Sequence, residues 1–203
     1  SLRMSGEQKL KDGDEIAFTC ESTNSVELLF FTNHAQVYKT RAADFSDSKA
    51  SVLGDYVAST LGMDDGEVPV FMAVTADYSG HMFFFFQNGK CAKVPLTSYQ
   101  TKQNRRKLLK AYSDKAELAA ILHLTEEQEL AIFVNAGPAT TRLLLAGSAL
   151  IPEKTTRDTA GVNVVNLKKN SRITRVRPAA GLELADPHRY RVRTLPAAGA
   201  LLK

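Results

Sequence analysis

Cysteine is scarce in this sequence: Cys20 and Cys91 are the only two in 203 residues. They lie far apart with no CxxC spacing, which argues against a disulfide-stapled scaffold and a thiolate metal centre. They read as two buried thiols in a reducing compartment. Histidine is nearly as rare. His34, His81, His123 and His188 are scattered, and none sits at metal-ligand spacing. His123, on an apolar strand, reads as a hydrogen-bonded interior residue. There is no GxSxG, no Walker loop, no GxGxxG and no Cys with a neighbouring His. That argues against catalysis by this stretch of chain, and no cofactor is expected in it. No apolar run reaches the roughly 18 residues of a membrane helix, and no signal peptide opens the sequence. The expectation is a soluble cytoplasmic protein. The chain begins at Ser1 in mid-pattern, as an excised part of something longer would.

What is present is a repeated unit. Glu27–Arg41 (ELLFFTNHAQVYKTR) is an apolar run, a polar turn at Thr32-Asn33-His34, and a second run ending in basic residues. The unit returns as Met82–Leu96 (MFFFFQNGKCAKVPL) and Leu130–Leu143 (LAIFVNAGPATTRL). Anchored on Asn33, Asn88 and Asn135, the copies are spaced by 55 and then 47 residues. A supersecondary unit recurring at about 50 residues marks an all-β array of propeller-like blades. Upstream of each hairpin a further strand is expected, over Glu15–Cys20, Val68–Thr75 and Leu118–Leu122. The last competes with the helical propensity of residues 105–124. Its place in the repeat favours a strand that follows a short helix or irregular basic crossing.

Tyr56–Leu61 and Asn163–Leu167 read as short strands, and Arg172–Val176 as a strand opening a further unit. The repeat boundaries fall near 10–62, 63–115, 116–167 and a partial 168–203, all in one domain. Phe83–Phe86 has no polar alternation, so burial on both faces is expected rather than an exposed platform for bases. In the tail, Tyr190, Val192 and Thr194 alternate with Arg189, Arg191 and Arg193. That pattern favours a closing strand over a mobile basic arm.

The formal charge of +4 conceals segregation. Residues 1–77 carry 6 basic and 13 acidic side chains, residues 78–115 carry 8 and 1, and residues 116–203 carry 12 and 8. Cations follow each hairpin: Lys39 and Arg41, then Lys90 and Lys93, then Arg142. Each crossing adds more: Lys49, then Lys102, Arg105, Arg106, Lys107 and Lys110, then Lys154 and Arg157. Lys168, Lys169 and Arg172 continue the series. In a repeat fold, equivalent positions reach the same edge, so a basic rim is expected. A rim of Lys and Arg without a base-reading motif suits sequence-tolerant binding of duplex DNA through its phosphates. A propeller-like protein-interaction module with a basic face is the alternative, and a propeller enzyme stands further off. Because the first copy lies in the acidic third, the grip is expected over Lys90–Lys110. Reversing Arg105, Arg106 and Lys107 is expected to weaken binding more than reversing Arg177.

These residues resemble the C-terminal domain of the A subunit of bacterial type IIA topoisomerases, gyrase and topoisomerase IV. That domain repeats a unit of the form strand, T-x-x-G, basic strand, crossing, R-x-x-x-G-V, strand, L-x-x-G-D, strand. Leu29-Phe30-Phe31-Thr32-Asn33 through Val37-Tyr38-Lys39 is similar to its hairpin, with Ala35 in place of the Gly. Gln87-Asn88-Gly89 with Lys93, Pro95 and Leu96 is similar to a second copy. Arg157-Asp158-Thr159-Ala160-Gly161-Val162, followed by Leu167, is similar to the crossing. Lys9-Leu10-Lys11-Asp12-Gly13-Asp14-Glu15-Ile16 is similar to the strand entry. The resemblance covers roughly residues 7–177. The Gln-Arg-Arg-Gly-Gly-x-Gly box of gyrase is absent, Gln103-Asn104-Arg105-Arg106-Lys107 being only an echo of it. The second crossing has Lys110-Ala111-Tyr112 where the Gly belongs.

The resemblance implies a β-pinwheel, here a partial or open array, with strands exchanged between blades and DNA bending around a basic rim. It implies a nucleoid-associated partner of duplex DNA. Strand breakage and ATP hydrolysis, with their ATP and Mg2+, would then reside in the rest of the A subunit, and in the B subunit. No catalytic residue is implied in this chain.

Overall fold

The computed structural model describes residues 26–42, 58–59, 61–102 and 106–203. Cys20, Lys49, Arg105, the strand expected at 15–20 and the motif at 9–16 lie outside the described residues. The described chain is built of β-strands, with short 3-10 turns and one short helical turn. None of its helices is long and apolar enough to cross a membrane.

Three antiparallel hairpins form where the repeat places them. They are β1 (Glu27–Thr32) with β2 (Val37–Arg41), β4 (His81–Phe86) with β5 (Lys90–Pro95), and β8 (Glu129–Ala136) with β9 (Thr141–Gly147). The innermost paired residues are Phe31 with Val37, Phe85 with Cys91, and Asn135 with Thr141. Five residues connect each pair, and each connection needs a left-handed backbone position. Gly89 and Gly137 supply it at φ 87 and 73, and Ala35 adopts it at φ 55. By pairing, Asn135 is the counterpart of Phe31 and Phe85. It lies in its strand, whereas Asn33 and Asn88 lie in their turns. The repeat measured by pairing is therefore 54 and 50 residues (Phe31 to Phe85, Phe85 to Asn135).

Each hairpin acquires two outer strands by one rule. A long strand, contributed from after a crossing, pairs with the hairpin's first strand. A two-residue strand pairs with its second. The long strands are β3 (Pro69–Thr75), β7 (Leu118–Leu124) and β11 (Ser171–Pro178). The short ones are β6 (Lys107–Leu108), β10 (Val162–Asn163) and β12 (Ala200–Leu201). The sheets run β3-β1-β2-β6, β10-β5-β4-β7 and β11-β8-β9-β12. In the first two, the short strand comes from chain that lies beyond the following hairpin. Arg172–Val176 does form a strand, and it joins the third hairpin's sheet rather than starting another.

The chain divides into two compact units. One comprises Ser1–Tyr78 and Tyr99–Ala111, the other Ser79–Ser98 and Tyr112–Lys203. In the first, Leu28, Phe30, Tyr38 and Met72 pack on one face of the sheet together with Leu61 and Met63. On the other, Phe31 meets Phe71 and the edge of Tyr99, at 6.4 and 5.2 Å between ring centroids. The strand expected over Tyr56–Leu61 is absent from its described part: Ala58, Ser59 and Leu61 are helical. Gly62, at φ 66, and Met63 turn back their N–H groups to the Ser59 and Ala58 carbonyls and end the turn.

In the second unit, Phe83 and Phe85 stack at 6.4 Å and join Leu130, Ile132, Val134, Ile173 and Val176 in one core. Phe84 points the other way and stacks on Tyr112 at 5.1 Å. All four residues of the aromatic run are at most 1% exposed, as burial on both faces requires. Cys91 lies in the same core as a free thiol, and burial holds its pKa well above the usual value.

The tail departs from the expected closing strand over Arg189–Arg193. Pro187–Arg189 forms a 3-10 turn, Tyr190 is buried beneath it, and Arg191 makes only a single bridge to Leu145. The Arg191 guanidinium closes on Glu129 through Nε and Nη2, one to each carboxylate oxygen. The sheet is instead completed by β12 against β9.

Candidate nucleic-acid interface

The positions that look alike in sequence separate into buried and presented cations. Lys39 and Lys93 are each 8% exposed. They occupy one register position, opposite Leu29 and Phe83. Lys39 Nζ donates to the Tyr99 carbonyl at 3.2 Å and to Thr101 Oγ1 at 2.7 Å. Lys93 Nζ donates to the Ser148 carbonyl at 3.3 Å and lies 5.6 Å from the Phe83 ring centroid. Both hold a 3-10 corner of the backbone. Neither belongs to a solvent-facing rim, because its charge is turned inward. In the third hairpin the same register position is Leu143, opposite Phe133.

Two arginines are structural as well. Arg142 is half-buried and donates to the Gly199 carbonyl at 3.1 Å, tying β9 to the approach of β12. Arg157 is half-buried and donates to the Ser98 carbonyl at 3.2 Å, while Ser98 Oγ donates to the Thr155 carbonyl. This reciprocal pair fixes the crossing that leads to Gly161.

The presented cations of the first unit are Arg41, Lys102, Arg106, Lys107 and Lys110, all exposed. Lys107 is partly committed: its ammonium is 3.6 Å from Asp64 and 5.4 Å from the Tyr38 ring. In the second unit, Lys154, Lys168, Lys169 and Arg172 are exposed and Lys90 is half-exposed. Arg175 was not anticipated. It is exposed and rests 5.4 Å over the Phe133 ring. Arg177, beside it, is half-buried and donates to the Pro178 and Ala180 carbonyls. The signal that points to Arg175 is local: residues 159–182 contain five Lys or Arg and no Asp or Glu.

The first hairpin's turn has the opposite electrostatics. Glu67, 4% exposed, accepts from Thr32 Oγ1 and from the Tyr38 hydroxyl at 2.5 Å each, and from the Asp64 N–H at 3.0 Å. Burial pushes its carboxyl up, but these hydrogen bonds and nearby His34 outweigh that and hold it below the usual range. Burial and the bond to Glu67 raise the Tyr38 hydroxyl in turn. His34, Asp64 and Glu67 bring one potential metal-ligand atom each within 4.8 Å of one another. Both Glu67 oxygens already serve the turn, so the cluster is a structural clasp. A carboxyl lowered on folding contributes stability above its unfolded pKa and loses it as pH falls through the folded one. Acid titration of the melting temperature should therefore show a decline below about pH 4.3 that Glu67→Gln flattens. Parallel curves for the two proteins would refute the clasp.

A family model described as the DNA gyrase C-terminal domain, beta-propeller, matches residues 27–51 and 150–180. The DNA gyrase A subunit of Streptomyces coelicolor is 29% identical over 98 residues, 47% of this chain and 11% of that protein. The match thus spans about a tenth of the length of the curated relatives. Among solved structures, the C-terminal domain of DNA topoisomerase IV superposes with a TM-score of 0.73 at 19% identity. The match covers 95% of this chain and 63% of that one. The DNA gyrase A C-terminal domain gives 0.59 at 15% identity, covering 97% and 67%. The strand exchange among three four-stranded sheets is the β-pinwheel fold of these domains.

Proposed function

From the premise that this chain has the fold and sequence likeness of the C-terminal domains of gyrase and topoisomerase IV A subunits, we propose that it binds and bends duplex DNA. It would serve as the accessory domain of a type IIA topoisomerase A subunit, presenting DNA to the catalytic core. Cleavage, ATP and Mg2+ would belong to the rest of the A subunit, and to the B subunit. The setting would be the nucleoid.

The observation that carries this reading is the set of exposed cations without a described acidic partner. They include Lys102, Arg106 and Lys110 in one unit, and Lys154, Lys168, Lys169 and Arg172 in the other. Cations free of carboxylates release counterions when they meet phosphates, and nothing about them selects a base. Lys39 and Lys93 are left out of this set, since their ammoniums are spent on backbone carbonyls.

Titrating the chain with mixed-sequence duplexes across a range of salt is the test. Affinity should fall linearly on a log–log plot, each neutralised phosphate contributing about 0.9 to the slope, with little difference between sequences. Charge reversal of Arg106 together with Lys107 should weaken binding to every sequence alike. Salt-insensitive binding, or none at about 50 mM salt, would favour a protein-interaction module instead.

A further inference from the structure

Each long outer strand carries one extra residue that breaks the pairing. It is Val70 in β3, Ala119 in β7 and Thr174 in β11. In the first two sheets the extra residue lies at the turn end of the pairing, between the partners of Phe31 and Thr32 or of Phe85 and Phe86. In the third it lies deeper, between the partners of Val134 and Phe133. The displacement has a consequence for charge. Without an extra residue, Arg172 and Arg175 would face opposite sides of β11, since strand side chains alternate. With it, Arg172 pairs opposite Asn135, Arg175 opposite Phe133 and Arg177 opposite Ala131, all on one face. Ile173 and Val176 take the other face and both join the core.

That arginine-bearing face is covered at one end and open at the other. Ala131, Leu143, Leu145 and Tyr190 pack there with Phe133, Ala179, Leu182 and Leu184. Past Phe133 the cover stops. The open end is a trough of about 610 Å3 lined by Asn135, Gly137, Pro138, Asn170, Ser171, Arg172 and Thr174. Thr174 Oγ1 donates to Asn135 Oδ1 at 2.9 Å, which occupies the amide oxygen and leaves the amide nitrogen to donate elsewhere. Asn170 holds a left-handed backbone at φ 59 between Lys169 and Ser171. No carboxylate and no aromatic ring lines the trough. Arg172 has no ion-pair partner among the described residues.

We propose that this trough is a phosphate seat: it holds one phosphodiester of a nucleic-acid backbone between the Arg172 guanidinium and the Asn135 and Asn170 amides. Lys168, Lys169 and Arg175 flank it. The Arg172 guanidinium only donates and carries a positive charge, and with no carboxylate in the lining to neutralise it the site favours an anion. The lack of an aromatic platform turns the site to the backbone rather than to bases. The displaced extra residue in β11 builds the seat by bringing Arg172 and Arg175 to one side. The seat rests on the duplex-binding reading for its natural ligand, and it moves the expected centre of the grip from Lys90–Lys110 to the turn and strand at 168–175.

Two probes test it on the same chain. Inorganic phosphate, followed by amide chemical shifts, should perturb Asn135, Gly137, Asn170 and Ser171, and Arg172→Gln should abolish that response. Absence of shifts at these residues, or shifts that survive Arg172→Gln, would overturn the seat. With a mixed-sequence duplex, Arg172→Gln should lower the salt slope by about one, while Arg193→Gln in the tail should leave it unchanged. Unchanged slope in Arg172→Gln, with the wild-type chain binding duplex, would sink the seat and leave the duplex reading standing. Phosphate entering the trough of a chain that ignores duplex DNA would do the reverse. Arg172 is exposed, so an unaltered melting temperature shows that each variant is folded.

Discussion

Gly161→Ala is expected to lower folding stability by about 2–5 kcal/mol, the sum of a left-handed backbone and an overfilled contact. Gly161 has φ 82, and a Cβ there would lie 2.3 Å from the Cys91 carbonyl oxygen, 2.5 Å from its carbon and 2.8 Å from the Ala92 nitrogen. All three are backbone atoms of β5, buried against the Phe83 and Phe85 core, so none can swing aside. Relief requires the crossing to lift away. That would break the pairing of Val162 with Cys91 and of Asn163 with Lys90, and the bonds from the Val164 and Val165 N–H groups to the Gly89 carbonyl. Gly137→Ala is the matched comparison. Its φ of 73 is similar, but nothing lies within 4 Å of the added carbon, so only the backbone cost of about 1–2 kcal/mol should appear. Urea denaturation midpoints measure both. Equal losses in the two variants would show that the close approach to Cys91 has no energetic weight.

Lys93→Ala should cost about 2–4 kcal/mol, whereas Lys93→Met should fall within about 1 kcal/mol of the parent. The side chain is enclosed by Phe83 and by the corner that begins at Ser148. Truncation leaves a void. Methionine refills it and removes the burial of a charge, and the Ser148 carbonyl keeps its bond from the Ile151 N–H. The sheet pairing offers its own precedent, since Leu143 occupies the same register in the third hairpin. Thermal melts of the two variants decide the matter. A Lys93→Met loss as large as that of Lys93→Ala would mean that the ammonium bond itself holds the corner. Duplex affinity of Lys93→Met should equal the parent's, and a marked loss there would return Lys93 to the DNA-facing set.

The three hairpins were legible because their signals are local: apolar runs five residues from their partners across a turn with Gly89, Gly137 or Ala35. The aromatic run was legible for the same reason. Sheet membership was not. A two-residue strand such as Lys107–Leu108 or Ala200–Leu201 has no periodicity to read, and its place is set by a hairpin far away in sequence. The Leu118–Leu124 strand was recovered only because the repeat overrode its helical propensity. The short helical turn near Leu61 was missed because Leu61 and Met63 satisfy a core from a turn as readily as from a strand.

Charge was legible in amount and illegible in direction. Lys39 follows Tyr38 on a strand buried on both faces, so alternation could not announce which way its ammonium turns. Arg175 was overlooked because Arg-Ile-Thr-Arg-Val-Arg does not alternate cleanly. Removing Thr174 from the pattern leaves Arg-Ile-Arg-Val-Arg, a perfect alternation that only the pairing with Val134 and Phe133 uncovers.

The borrowed outer strands also impose an order in time. The first sheet pairs residues 27–41 with residues 107–108, and the second pairs residues 90–95 with residues 162–163. A chain leaving the ribosome cannot finish a sheet until the next hairpin and its crossing have emerged. Each of these two sheets must wait, three-stranded and with one hydrogen-bonding edge bare, while the chain from β3 to β6, or from β7 to β10, is made. A cut placed after the first or the second repeat would therefore part that repeat's hairpin from its short outer strand. It would strand a sheet without its fourth member, and products of such cuts should associate through that edge.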